Sequence, residues 1–234
     1  MESSLAQPEM IVMLTYNDKT VQDAHSLFST LADTPVNYFG FKDVGLPTDE
    51  MKRLVDSMNA AGKITCLEVV SLSEEEGLRG AELAVELGFG ILMGTVYFDS
   101  INDYLREKPV RYYPFPGHVQ SHPSLLDGTF DEIVEHARFL ESKGVDGMDL
   151  LTYRFRGANP GLLLKDVVAA TSVPVVSAGS IDSYDRLGEV CEAGAWGFTI
   201  GTAFFDKKFS AAGPFRDNVM CVHHWLEERA RSME

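Results

Sequence analysis

Cysteine is scarce in this chain of 234 residues, and the three thiols, Cys66, Cys191 and Cys221, are scattered. None forms a C-x-x-C pair. That spacing excludes a zinc ribbon and a disulfide framework, and it points to a reducing compartment, the cytoplasm. Long apolar runs are lacking too, and no stretch approaches the length that spans a bilayer. Basic charge is short: 20 Lys and Arg stand against 35 Asp and Glu, a formal net charge of −15. Such a balance lacks the basic footprint of a nucleic-acid binder and disfavours an anionic membrane surface. The opening M-E-S-S-L-A-Q-P-E-M has neither a basic nor an apolar region, so no signal peptide is expected.

What is present is a rhythm. Strand-like runs fall at residues 10–15, 36–41, 64–70, 90–93, 110–115, 147–151, 173–177 and 197–200. Helix-like segments fall at 20–32, 48–61, 73–87, 100–107, 129–143, 160–171, 183–193 and 215–231. In the second helix Met51, Leu54, Val55 and Met58 make an apolar stripe, and Gly62 stops it. Ser73 with Glu76 three residues on reads as a capping box, and Pro160 suits a first helical turn. Pro114 and Pro116 blur the end of the fifth strand. Alternation of this kind implies a parallel sheet with helices outside it. Eight of each fit one α/β domain, a single-domain (β/α)8 TIM barrel. A near-repeat supports it: V-E-L-G-F-G-I-L-M-G-T before and through the fourth strand is similar to E-A-G-A-W-G-F-T-I-G-T before and through the eighth.

The most telling stretch lies at residues 173–206. Two β-branched runs each end in glycine and a small hydroxyl residue, Gly179-Ser180 and Gly201-Thr202. Glycine lets backbone approach a ligand, and the free N–H groups that open a following helix favour an anion. Two such turns on adjacent strands can share one phosphate. The pair resembles the turns of the ribulose-phosphate-binding barrels, the superfamily of ribulose-phosphate epimerase and the histidine and tryptophan pathway isomerases. The family pattern at strand seven is Gly-Gly, and here Ala178 stands first. The resemblance implies the barrel fold and a phosphate held by Gly179, Ser180, Gly201 and Thr202.

A barrel's chemistry sits where its strands end at the carboxyl face. Polar residues there are Thr15, Asn17, Lys42, Asp43, Glu68, Thr95, His118, Asp149, Tyr153, Arg154 and Arg156. Lys42 follows an apolar run. It is either a surface lysine paired with Asp43, or an ammonium in the mouth that polarises a carbonyl or forms a Schiff base. Glu68 lies in K-I-T-C-L-E-V-V, where a carboxylate must be paired; period-two alternation sets it beside Lys42 as a structural pair or a proton carrier. Asp149 in G-M-D-L-L is a satisfied interior polar group or a general acid or base. Arg154 is a second phosphate ligand or a solvated loop arginine. His118 is a candidate proton carrier. With His122 it could bind a metal only on a helix, which the neighbouring prolines oppose, so no metal site is assigned. His223-His224 reads as structural or as a subunit contact, and Phe204, Phe205 and Trp225 as packing.

Together these point to a phosphosugar isomerase, epimerase or aldolase-type lyase that moves a proton next to a carbonyl. Lys42, Glu68, Asp149 and His118 would be catalytic, and the substrate would be a small phosphorylated carbonyl compound. No cofactor, nucleic acid or membrane partner is implied, and a homo-oligomer is expected from the fold alone. Two rivals share the turns: a non-catalytic phosphometabolite-sensing barrel, which needs no convergent acid and base, and an FMN-dependent oxidoreductase, which generally carries longer insertions.

Overall fold

The computed structural model describes residues 7–232. The expectation about a signal peptide therefore falls largely outside the described residues. The parallel strands are β1 Glu9–Met13, β2 Tyr38–Lys42, β3 Ile64–Ser71, β4 Ile91–Thr95, β5 Arg111–Tyr113, β6 Met148–Leu150, β7 Val175–Ser177 and β8 Gly197–Ile200. They neighbour one another in the order β6-β7-β8-β1-β2-β3-β4-β5, so the sheet curls into a nearly closed barrel. At the seam between β5 and β6 the Asp146 and Asp149 N–H groups donate to Tyr112 O (3.1 Å) and Pro114 O (3.0 Å). The Asp146 carboxylate takes the Tyr112 N–H at 2.8 Å. Pro114 has no N–H to return, which is why isolated bonds replace a continuous ladder here.

The helices are α1 Ala24–Ser29, α2 Thr48–Ala60, α3 Glu74–Leu87, α4 Asp99–Leu105, α5 Phe130–Ser142, α6 Pro160–Ala170, α7 Tyr184–Ala193, α8 Thr202–Phe205 and α9 Phe215–Ser232. The α2 stripe is buried throughout at Met51, Leu54, Val55 and Met58. Removing each such side chain from water contributes about 1.5–3 kcal/mol. Helix faces of this kind and the outward face of the strands build the larger core. Inward side chains build a second core inside the barrel: Ile11, Met13, Tyr38, Cys66, Ile91, Met93, Tyr113 and Val176.

Several local expectations need correction. The first helix begins at Ala24, not at residue 20, because Thr15–Tyr16 and Lys19–Thr20 pair as an antiparallel hairpin. Asn17 and Asp18 turn it with φ of 49° and 60°, the positive-φ pair that two-residue hairpins require. A second hairpin, His118–Gln120 with Leu125–Asp127, follows β5. At α3, Ser73 accepts the Glu76 N–H, but the Ser73 N–H goes to Ser71 Oγ, so the reciprocal half of the box is missing. The complete box is at Thr129 and Glu132. Beyond the eight expected helices, the one-turn α8 directly follows β8.

Candidate active site

Alternation along a strand places every second side chain inside the barrel. Lys42 and Glu68 are register partners on β2 and β3. Asp149 on β6 is level with Val176 of the inner core. Lys42 is only 5% exposed, and its Nζ lies 2.8 Å from Asp18 Oδ1 and 3.3 Å from Glu68 Oε1. Burial alone would lower the lysine pKa, but the charge of Glu68 and the hydrogen bond and charge of Asp18 outweigh it, and the net direction is upward. The group is held as an ammonium. The alternative of a surface lysine paired with Asp43 fails, since Asp18 and Glu68 are the partners.

Asp18 was invisible to the strand-end reading, because it arrives on the first hairpin. Thr20 secures that hairpin: its Oγ1 accepts the Lys42 N–H at 2.9 Å and donates to Lys42 O at 2.8 Å. Asp18 Oδ1 also accepts from Arg154 Nη2 at 3.2 Å. Partial burial pulls the Asp18 pKa up, yet Lys42 and then Arg154 bring it below the ordinary carboxylate range. One carboxylate thus ties the lysine of strand two to the arginine beyond strand six. The signal that could have found it was Asn-Asp between T-Y and K-T, a two-residue turn flanked by strand formers.

Asp149 sits at the barrel axis with no exposed surface, and neither carboxyl oxygen has a hydrogen-bond partner among the described residues. Burial first, and the nearby charge of Glu68 second, raise its pKa well above the ordinary value; Lys42 and Arg154 oppose this without cancelling it. The direction of the shift favours the protonated form of this carboxyl group.

The two glycine turns face the same space. A cavity of about 480 Å³ is lined by Lys42, Glu68 and Asp18 on one side and by Gly179, Ser180, Gly201 and Thr202 on the other, with Arg154 also on the wall. The N–H groups of Gly179, Ser180 and Gly201 donate to no backbone acceptor among the described residues. The first N–H groups of α8 have no intrahelical acceptor by helix geometry. Gly179 has φ 78°, and a Cβ there would stand 3.0 Å from the Arg154 stem; only glycine lets the arginine lie across the turn. At Gly201 a Cβ would meet Thr15 Oγ1 at 2.7 Å. Ser180 holds φ 59° without being glycine, a strained conformation of the kind that concentrates at ligand clamps. Its carbonyl is gripped by Arg186.

The remaining candidates separate from this group. His118 is exposed on the second hairpin, which lends Pro123 and Leu125 to the cavity wall but not His118. The turn after β5 carries the histidine outward, which its sequence distance from the strand could not show. Thr95 is buried against Tyr112, their hydroxyls 2.6 Å apart. Tyr153 reaches the wall, but its hydroxyl is committed to Glu189 and Arg186 O. Arg156 pairs with Asp127 at the surface, as a solvated loop arginine should. Phe204 and Phe205 pack on Phe215, and Trp225 on Tyr184. Among the described residues no helix is long and apolar enough to cross a membrane.

No protein-family model and no curated protein sequence matches the chain. Solved structures do. The N-acetylmannosamine-6-phosphate 2-epimerase from Clostridium perfringens superposes with a TM-score of 0.64 at 10% identity, covering 86% of this chain and 91% of that one. A structure described as native KDPGal gives 0.68 at 11% identity, covering 97% and 98%. The YdjI aldolase from Escherichia coli K12 gives 0.61 at 17% identity, covering 96% and 88%. Identities this low carry architecture alone, and on that footing the chain has the single-domain (β/α)8 TIM-barrel fold.

Proposed function

We propose that this protein is an enzyme that moves a proton next to the carbonyl of a small phosphorylated substrate, as an isomerase, an epimerase or an aldolase-type lyase. One observation carries the reading: a buried ammonium clamped by two carboxylates shares a cavity with two glycine turns, where the N–H groups of Gly179, Ser180 and Gly201 donate to no backbone acceptor among the described residues. The fold is shared with an epimerase of a 6-phosphate sugar and with an aldolase, which agrees with that chemistry.

In this reading the N–H groups of Gly179, Ser180, Gly201 and Thr202 bind the phosphate. Arg154 adds a charged donor, since Asp18 occupies only one of its five N–H groups. Fixing the phosphate holds the carbonyl over Lys42, and this anchoring lowers the barrier. Lys42 stabilises the oxyanion as it develops, already charged and already oriented. Glu68 takes the proton, because it lines the cavity while Asp149 lies below. Asp149, its pKa raised and its oxygens without a partner among the described residues, serves Glu68 as a proton reserve. A Schiff base is disfavoured, since the amine is held charged.

The test is solvent exchange. Phosphorylated ketoses and aldoses are incubated with the protein in D2O, and deuterium at the carbon next to the carbonyl is followed by NMR. Lys42→Met and Glu68→Gln are each expected to slow exchange by about 10²-fold or more, and borohydride should leave Lys42 unlabelled. Undiminished exchange in Glu68→Gln would overturn the assignment of the base.

A further inference from the structure

A second cavity of about 680 Å³ opens beside the first, toward β3 and α3. Asn17, Asp18, Lys42 and Pro123 line both, so the Lys42 ammonium stands at their junction. Both volumes lie in the range of small-molecule sites. The mechanism above uses only the first.

The second cavity's wall carries the carboxylates Asp18, Asp43 and Glu76 beside the cations Lys19, Lys42 and Arg79, with His122 also on it. Lys42 is engaged by Asp18 and Glu68, and Arg79 by Glu75 at 3.1 Å; Lys19, also on the wall, is exposed. Asp43 is half-buried there. Ser124, on the same wall and 2% exposed, has a buried hydroxyl with no partner among the described residues. An unpartnered buried hydroxyl is costly, and so is a half-buried carboxylate; a ligand hydroxyl would satisfy both. A second phosphate would face the Asp18 and Asp43 carboxylates, with exposed Lys19 the one cation on this wall that has no ion pair among the described residues.

Resting on the proposed phosphate site, we infer that the second cavity receives the far end of the same substrate, an uncharged polyhydroxyl chain that Asp43 and Ser124 recognise by hydrogen bonds. The substrate class narrows to open-chain sugar monophosphates long enough to cross Lys42, with phosphate on one side and hydroxyls on the other. Triose phosphates and bisphosphates fall outside it.

Inert polyol phosphates test this without turnover. Binding of inorganic phosphate, glycerol 3-phosphate, the 6-phosphates of glucitol, mannitol and galactitol, and glucitol 1,6-bisphosphate is measured by calorimetry on the intact protein. At least one hexitol 6-phosphate is expected to bind tenfold or more tightly than glycerol 3-phosphate, and the bisphosphate more weakly than glucitol 6-phosphate. Ser124→Val and, separately, Asp43→Asn should cut the hexitol advantage below threefold while inorganic phosphate binds as before, which also shows that each variant is folded. Inorganic phosphate binding with no gain from any hexitol overturns the inference alone. An advantage that survives both variants, or a bisphosphate preferred, does the same. Failure of inorganic phosphate and every phosphorylated probe to bind overturns the phosphate site itself.

Discussion

The two ends of the barrel interior are filled by opposite means. At the amino end, Trp196 meets Tyr38 and Tyr113 edge-on, with ring centroids 5.2 and 6.0 Å apart. Ile11, Ile91 and Cys66 complete the plug, and burial pushes the Cys66 thiol up to about 12, which leaves it inert. At the carboxyl end, Lys42, Glu68 and Asp149 occupy the equivalent inward positions. Apolar side chains of similar volume would close that end more cheaply, since desolvating an ion pair consumes most of what its attraction returns. Charge has been kept where packing would have served stability better. On the proposed function, stability is concentrated in the floor and chemistry in the mouth, and substitutions at each end should separate the two.

The largest effect is expected at the floor. Tyr113→Ala opens a cavity among fully buried residues and should lower unfolding free energy by about 3–5 kcal/mol, read by urea titration. Inorganic phosphate affinity should be unchanged at a temperature where the variant is folded. A comparable loss of phosphate affinity would mean that the two ends are mechanically coupled and the division is false.

At the mouth, Lys42→Met alone leaves Glu68 without its cation, while Asp18 keeps Arg154. It should cost about 3–5 kcal/mol, whereas adding Glu68→Leu should restore most of that loss or exceed the parent by about 1–4 kcal/mol. The double variant would be as stable as the parent and devoid of D2O exchange. If it remains as unstable as the single variant, the ion pair contributes to folding as well as to chemistry, and the contrast with the floor weakens.

How legible all this was follows from the same geometry. Alternating strands and helices, each with its own apolar period, made the barrel readable along the chain, and period-two alternation put Cys66 and Glu68 on one face, which meets Lys42 if it is the inner one. The glycine turns were readable because Gly179 and Gly201 answer local demands, a positive φ at one and close approach at both. Asp18 was not readable as a site residue, because a hairpin brings it back over Lys42 and long-range contact leaves no periodic trace. His118 misled for the converse reason: it is close to β5 in sequence, and a turn takes it outward. The second cavity lies where the first hairpin, the ends of β2 and β3, α3 and the second hairpin meet, so no single segment announces it.

The finest distinction between the ends is electrostatic and lies in Asp149. Its folded-state pKa is raised by burial and by Glu68. The unfolded chain therefore ionises near pH 4 while the folded one keeps its proton. The unfolded state binds fewer protons above that pH, so stability contributed by this group is complete below pH 4 and is lost as pH rises toward the raised value. Asp149→Asn is neutral in both states and removes the dependence. The stability of the variant relative to the parent should then climb from pH 5 to pH 8, by as much as about 1.4 kcal/mol per pH unit while the folded carboxyl stays protonated. Tyr113→Ala should show no such slope relative to the parent, because it removes no carboxyl group. Urea unfolding of parent and variants at each pH decides it. A flat difference for Asp149→Asn would mean that the buried carboxyl ionises at its ordinary value, and the proton reserve beneath Glu68 would have to be abandoned even if Lys42 and Glu68 kept their roles.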